Sequence, residues 1–324
     1  MFVTHHLFFE RMNHNTSQVE EFIIVGFPGL QDQESRAVFS GIFLVAYLLI
    51  LLGNLLIILI FAMDESLHTP MYMLICSLAF LDVILSSVVI PKMLVVFMFD
   101  SKAITFVACF IQLLFYHGMI TAESFLLGLM AYDRYMAICH PLHYPTYMTN
   151  SRVFKQIVCC WVGGLCGPII PIVLALRLPF CGPNKVLHCF CDHVSVVRLT
   201  CADITINSYV ALTISLSTLF IPLTYILFSY IRIIRSVFKI ASSEGRLKAF
   251  STCGTHLLVI SVFFLIAAGV YISYRVPVDM RIMASVLQSV IPPLMNPIIY
   301  CLRTKEIRES FLKTLQRTKI LPKR

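Results

Sequence analysis

Seven stretches of predominantly apolar residues recur along the chain, at 37–62, 71–95, 105–132, 154–176, 206–237, 249–273 and 281–302, separated by short polar segments. A helix needs about 20 such residues to cross the hydrocarbon core of a bilayer, where every backbone polar group has to be satisfied within the segment itself. The pattern predicts an all-α membrane protein, a seven-transmembrane-helix bundle. The connections are too short for a second folded domain. The expected organisation is an amino-terminal tail at 1–36, a helical domain at 37–302 and a basic tail at 303–324.

Composition agrees with an apolar solvent. Only 13% of residues are charged and 58% are hydrophobic, whereas soluble chains carry about a quarter charged residues. The net charge of +8 is explained by topology. With the amino terminus outside, 16 of the 25 Lys and Arg fall on inner segments: Arg134, Arg152 and Lys155, then Arg232, Arg235, Lys239, Arg246 and Lys248, then eight in the carboxyl tail. Cytoplasmic loops favour such residues, and a basic face beside anionic lipid needs no nucleic acid as partner. The start shows no signal peptide, so the first span serves as the insertion signal, with Met12 an alternative start. Asn15-Thr16-Ser17 is a glycosylation acceptor on the side expected to be extracellular.

Against this apolar background the polar motifs stand out. The string MAYDRYMAICHPLHY at 130–144 ends the third span with Asp133, Arg134 and Tyr135. From Cys109 to Arg134 a helix rises about 37 Å, so the triplet closes the helix at a membrane surface. Gly53-Asn54 lies in the first span, and Leu67-His68-Thr69-Pro70-Met71-Tyr72 forms the first loop. Pro91-Lys92-Met93-Leu94 ends the second span, Ser229-Tyr230 the fifth, and Lys248-Ala249-Phe250-Ser251-Thr252-Cys253 opens the sixth. Pro293-Leu294-Met295-Asn296-Pro297-Ile298-Ile299-Tyr300 ends the seventh. In order and spacing these motifs resemble the odorant receptors among rhodopsin-like seven-helix receptors, over nearly the whole chain after the amino-terminal tail.

The resemblance implies a receptor, not an enzyme, in the plasma membrane with an extracellular amino terminus and no cofactor. Its partners would be a small odorant, membrane lipid and a heterotrimeric stimulatory G protein that raises cyclic AMP. It also implies the disulfides Cys109–Cys191 and Cys181–Cys201, since spacing alone leaves connectivity open. Cys189 is then left over in His188-Cys189-Phe190-Cys191-Asp192-His193, a donor-rich stretch that suggests zinc or copper. With Cys191 oxidised, packing is the better reading, and no metal is expected.

Physics gives the inner motifs a task. Arg134 keeps its charge, so in the idle state it pairs with Asp133 or with polar groups of the sixth helix. In the family's activation scheme the sixth helix swings outward and Arg134 meets Tyr230 and Tyr300, opening a groove for a G-protein helix. Asn296 and Pro297 belong to the same switch. Asp82 and Glu123 are the carboxylates deepest in apolar helices and, with Asn54 and Asn296, form a buried polar cluster sharing water, a cation or a proton. Paired carboxylates also serve aspartyl proteases, but the Gly-rich and Tyr-bearing surroundings of an intramembrane protease are missing.

A ligand site follows from helical spacing. His117, Ile120, Thr121 and Ser124 share one face of the third span. Ala211, Ile214, Ser215 and Thr218 do so on the fifth, and Phe264, Ala267, Ala268, Tyr271 and Arg275 on the sixth. Together they would line a small, mostly apolar cavity with a few hydroxyls and an imidazole. Amine receptors have an acid where this chain has Tyr116. Arg275, assisted by His117, suits a carboxylate, which makes a receptor for a small carboxylic-acid metabolite outside olfaction the alternative. Most odorant receptors have Tyr where this chain has Phe264. A transporter or channel ranks third, because neither an inverted repeat nor a chain of intramembrane charges is present.

Overall fold

The computed structural model describes residues 19–30, 32–239, 242–272 and 276–317; the side chains at 245, 248–252, 271 and 315–317 lie outside that description. Seven helices are long and apolar enough to cross a membrane: Gln33–Met63, Pro70–Phe99, Phe106–Cys139, Asn150–Leu176, Thr205–Val237, Cys253–Val270 and Val278–Arg303. They are the first to seventh spans below. Their outward sides carry large apolar groups, among them Leu52, Ile206 and Leu265 at 67%, 73% and 72% exposure. Contiguous apolar surface on this scale calls for lipid rather than water.

Local chemistry sets the ends. Asp32 caps the first span by accepting from the Ser35 amide at 2.8 Å, and Thr105 caps the third by accepting from Ala108 at 3.3 Å. Each cap satisfies an amide that the first helical turn leaves without a partner. The third span is longer than expected. It continues past Tyr135 through Met136, Ala137, Ile138 and Cys139, which favour a helix, and stops at His140 before Pro141. The Asp133-Arg134-Tyr135 triplet therefore sits more than a turn inside the helix rather than closing it.

The fourth span begins at Asn150 and is broken into Asn150–Cys166 and Ile169–Leu176. Gly167 and Pro168 stand at the break, where proline withholds an amide from the helical ladder. This span approaches the third closely. A Cβ at Gly164 would lie 2.7 Å from the Ala122 backbone nitrogen. The third span packs on the second, fourth and fifth, while the sixth packs mainly on the seventh and only lightly on the third and fifth.

The two ends of the bundle differ. At one, the lid end, the amino-terminal segment forms β1 (Glu21–Ile24), flanked by β2 (Ala103–Thr105) antiparallel and β3 (Lys185–Val186) parallel. Phe22 pairs with Ile104, and Ile24 with Val186. The Phe22 ring is fully buried, 5.6 Å from the rings of both Phe106 and Phe180. Residues 21–24 are thus a strand within what the sequence marks as a tail. Among the described residues the small sheet, with an isolated antiparallel bridge between Phe180 and Thr200, departs from an all-helical fold.

At the opposite, tail end, Lys305–Arg317 forms a further helix. Its Ile307, Ser310 and Thr314 are buried on one face, at the i, i+3, i+7 spacing of a helix stripe. Ser310 donates to Asp64 at 2.6 Å, tying this helix to the loop after the first span. With Ser66 also donating, the Asp64 carboxyl is held down to about 2.

Candidate functional site: a tail-end switch and a lid-end chamber

At the tail end, Asp133 is held from two sides. Arg134 Nε donates to its Oδ2 at 2.9 Å, Arg134 Nη2 closes on the same oxygen, and the Tyr144 hydroxyl donates to Oδ1 at 2.8 Å. Asp133 and Arg134 are 1% and 7% exposed. A buried ion pair of this kind is held by geometry more than by net energy, and losing one partner leaves a buried charge. Tyr135 turns away and meets His140 Nε2 at 3.0 Å. Tyr230 and Tyr300 are both buried, and their hydroxyls have no hydrogen-bond partner among the described residues. His256, also buried, places its ring 6.1 Å from that of Tyr300.

The buried polar residues join the first, second, third and seventh spans. Asn54 Nδ2 donates to the Ile50 and Pro293 carbonyls at 3.0 and 2.9 Å, and Asn296 Nδ2 to both Asp82 oxygens at 3.3 and 3.0 Å. Pro297 packs on Gly53, whose missing Cβ would lie 2.9 Å from it. Glu123 is 1% exposed with Oε1 unpartnered among the described residues.

At the lid end, Cys109–Cys191 and Cys181–Cys201 are disulfides, with Cα atoms 5.5 and 5.9 Å apart. Gln112 reinforces the first of them: it accepts from the Cys191 amide at 2.9 Å and donates to the Val88 carbonyl at 2.8 Å. One side chain thus connects the second span, the third span and the long loop. Among the described residues no three His, Cys, Asp or Glu side chains converge as metal ligands. His188 and Cys189 are packed inward instead, His188 against the Phe190 ring at 4.3 Å.

Thr121 and Ser124 are buried on the third span, and Ile120 and His117 are half-buried beside them. Ser124 donates to the Thr218 carbonyl at 2.9 Å, and Thr218 to that of Ser215 at 3.0 Å, so the third- and fifth-span stripes meet. Ala211 and Ile214 are half-buried on the same fifth span. On the sixth, Phe264 and Ala267 are buried and Ala268 is half-buried. Tyr271 is described by its backbone alone; Arg275, Asn15 and Met12 lie outside the described residues, as do the side chains at 248–252.

His117 faces Asp192, with Nε2 and Oδ1 4.0 Å apart. Asp192 also caps the short helix His193–Val197 by accepting from the Ser195 amide at 3.3 Å. Burial works against its charge, but His188, His117, His193 and the Ser195 amide together hold its carboxyl below the usual range. Burial pushes His188 down to about 4, with Asp192 opposing and Arg281 assisting that shift. The sequence motifs assign no role of their own to Tyr144, Gln112 and His256, and Asp192 enters only as part of the donor-rich stretch at 188–193. Tyr144 lay in plain view at the end of the 130–144 motif, whereas Gln112 carries no local signal.

The chain matches the olfactory receptor family model over residues 43–318. It is 43% identical to human olfactory receptor 6N1, covering 95% of this chain and 98% of that one. It is 38% identical to human olfactory receptor 2AT4, covering 91% and 92%. With mouse olfactory receptor 1J1 the identity is 39%, covering 94% and 97%. Identity at this level along nearly the full length, on a seven-span helical bundle, places the protein among multi-pass membrane receptors rather than enzymes: the chain belongs to the olfactory receptor family of rhodopsin-like receptors.

Proposed function

We propose that this receptor sits in the plasma membrane with its lid end outside, binds a small, mostly apolar odorant between the spans, and activates a stimulatory heterotrimeric G protein that raises cyclic AMP. Asn15 is glycosylated in that orientation. The chamber is formed by His117, Ile120, Thr121 and Ser124, by Ile214, Ser215 and Thr218, and by Phe264, Ala267 and Ala268; Tyr271 and Arg275 are assigned to it by helical spacing in the sequence alone. The switch consists of Asp133, Arg134, Tyr135, Tyr230, Asn296, Pro297 and Tyr300, with Asn54, Asp82 and Glu123 linking it to the spans above.

The observation that carries this reading is that Arg134 is bonded to Asp133 while two buried tyrosine hydroxyls on the fifth and seventh spans stand without partners among the described residues. A buried polar group left unpaired is unfavourable, so a second arrangement that satisfies Tyr230 and Tyr300 is available in exchange for the first. Such a two-state element is what an agonist biases through unequal affinity for the two states. A cyclic-AMP reporter screen of an odorant panel tests the proposal. The wild type is expected to respond to at least one odorant, and Arg134→Ala, present at the surface in equal amount, to respond to none. A response that survives Arg134→Ala overturns the switch assignment.

A further inference from the structure

At the lid end, the amino-terminal segment after β1, the start of the first span and the end of the second meet at a cleft. Its volume is about 10 Å³, room for one water-sized occupant, and it is partly open to the surface. Two cations line it, Arg36 and Lys102. The other lining side chains, Val25, Phe27, Leu30, Val96 and Phe97, are apolar.

Asp100 answers these cations only in part. Its Oδ1 receives Arg36 Nη1 at 2.6 Å and Lys102 Nζ at 3.0 Å, and Lys102 and Arg36 together hold the carboxyl below its usual range. Yet Asp100 is not among the residues lining the cleft, and its side chain is 54% exposed. One carboxylate facing two cations leaves a positive charge over. Arg36 Nε is covered and has no hydrogen-bond partner among the described residues, which is unfavourable for a donor. Guanidinium and ammonium groups donate and never accept. A water seated between them would accept from both, but its own hydrogens would face hydrocarbon side chains. A monatomic anion has no hydrogen to place, receives from every donor and cancels the remaining charge. The space is too small for an oxyanion such as sulfate.

We infer that the cleft between Arg36 and Lys102 is a binding site for a single halide ion, chloride in any physiological medium. The ion receives Arg36 Nε–H and a Lys102 ammonium hydrogen, while Asp100 keeps its own bonds to both side chains. It lies outside the proposed ligand chamber and does not depend on which odorant the receptor senses. Its effect is on the lid end, where Ile24 already donates to the Lys102 carbonyl at 2.8 Å. The bound ion adds a second tie between the amino-terminal segment and the first two spans.

The test uses the full-length receptor in detergent, with sodium chloride, bromide, gluconate and sulfate at matched ionic strength. Chloride and bromide are expected to raise the melting temperature by about 2–4 °C over gluconate, and sulfate to do no better than gluconate. Adding receptor should broaden the chloride magnetic-resonance line, and excess bromide should reverse the broadening. Arg36→Lys, which keeps the charge facing Asp100 but removes Nε–H, and Lys102→Gln should each weaken chloride binding about 10-fold or more. Asp100→Asn, which removes the competing carboxylate, should tighten it by about 3- to 10-fold. A purely structural role for these side chains predicts no such gain, so Asp100→Asn and Arg36→Lys carry the test if Lys102→Gln fails to fold. Equal melting temperatures and line widths in chloride and gluconate overturn the inference and leave water in the cleft. A chloride effect unchanged in all three variants overturns it by placing the ion elsewhere, and a sulfate effect equal to that of chloride overturns it as general salt action.

Discussion

Asp133 accepts from Arg134 on one oxygen and from Tyr144 on the other, so the idle position of Arg134 depends on a hydroxyl eleven residues further along the chain. A hydrogen bond to a charged group contributes about 1.5–3 kcal/mol, and if it exists only in the idle state its removal shifts a two-state equilibrium by about tenfold or more. Tyr144→Phe is therefore expected to raise basal cyclic AMP per surface receptor, in contrast to the silent Arg134→Ala. Unchanged basal output would mean that the bond persists in both states. The sequence marked Asp133 and Arg134 because charge at the end of an apolar run is conspicuous; the part played by Tyr144 was not legible, since it depends on how the chain turns through His140 and Pro141. His188 leads to a prediction about pH. Its folded value of about 4 lies below the ordinary value near 6.5 of an unfolded chain. The unfolded form binds the extra proton in between, so the loop is fully stable above about 6.5, weakens as pH falls through that window, and levels off below about 4. The loss is on the order of 3 kcal/mol. Asp192 and Arg281 are the charged groups facing this imidazole. Hydrogen exchange of the amides at 188–196 should quicken as the medium at the lid end is acidified, and His188→Gln should flatten the response.

Among the elements, the spans were the legible part, because 20 apolar residues in a row have one stable form in lipid. The three strands were not. They hold four, three and two residues, and a strand that short is defined by its partners across the chain rather than by its own pattern. The tail helix escaped for a related reason: its buried face presents Ser310 and Thr314 beside Ile307, so the stripe reads as polar until Asp64 is seen opposite Ser310. The apolar stretch at 154–176 passes over the break in the fourth span, whose local cause is Gly167-Pro168. Contact between spans rests on small residues, since lipid supplies no hydrophobic drive for helices to associate. Gly164 is the clearest case, with the Cβ of Ala122 lying 2.5 Å from where its own would be. Gly164→Ala is expected to force the third and fourth spans apart, destabilising the bundle by about 1–3 kcal/mol, visible as a lower melting temperature in detergent and fewer receptors at the surface. Gly41 has open space around it, so Gly41→Ala should leave both measurements unchanged or slightly improved through better helix propensity. Equal losses in the two variants would point to glycine flexibility rather than close approach.

For the whole molecule, the two ends differ in how they are braced. Two disulfides, a three-stranded sheet and the Gln112 bonds tie the lid end across the second and third spans, the amino-terminal segment and the long loop. Taken along its length, the sixth span leans on the seventh and touches the third and fifth lightly, and toward the tail end the Tyr230 and Tyr300 hydroxyls have no partner among the described residues. Opening at the lid end would tear covalent links and strand pairing, whereas movement of the sixth span against the third and fifth separates helices that pack lightly. Packed elements shift between discrete arrangements, not continuously, so a small change in the chamber can be expressed as a larger movement at the weakly held end. Spin labels make this measurable. With the exposed Cys159 and Cys166 changed to Ser, one pair of labels at Leu142 and Leu247, 91% and 72% exposed, reports the tail end. A second pair at Val107 and Ile206, 65% and 73% exposed, reports the lid end. An agonist is expected to lengthen the first distance by on the order of 5 Å, the scale of one helical turn, and to leave the second within about 1–2 Å. The reverse result, a lid that spreads over an unmoved tail end, would mean that the lightly packed sixth span is not the moving part and that the Arg134 cluster is a fixed structural contact.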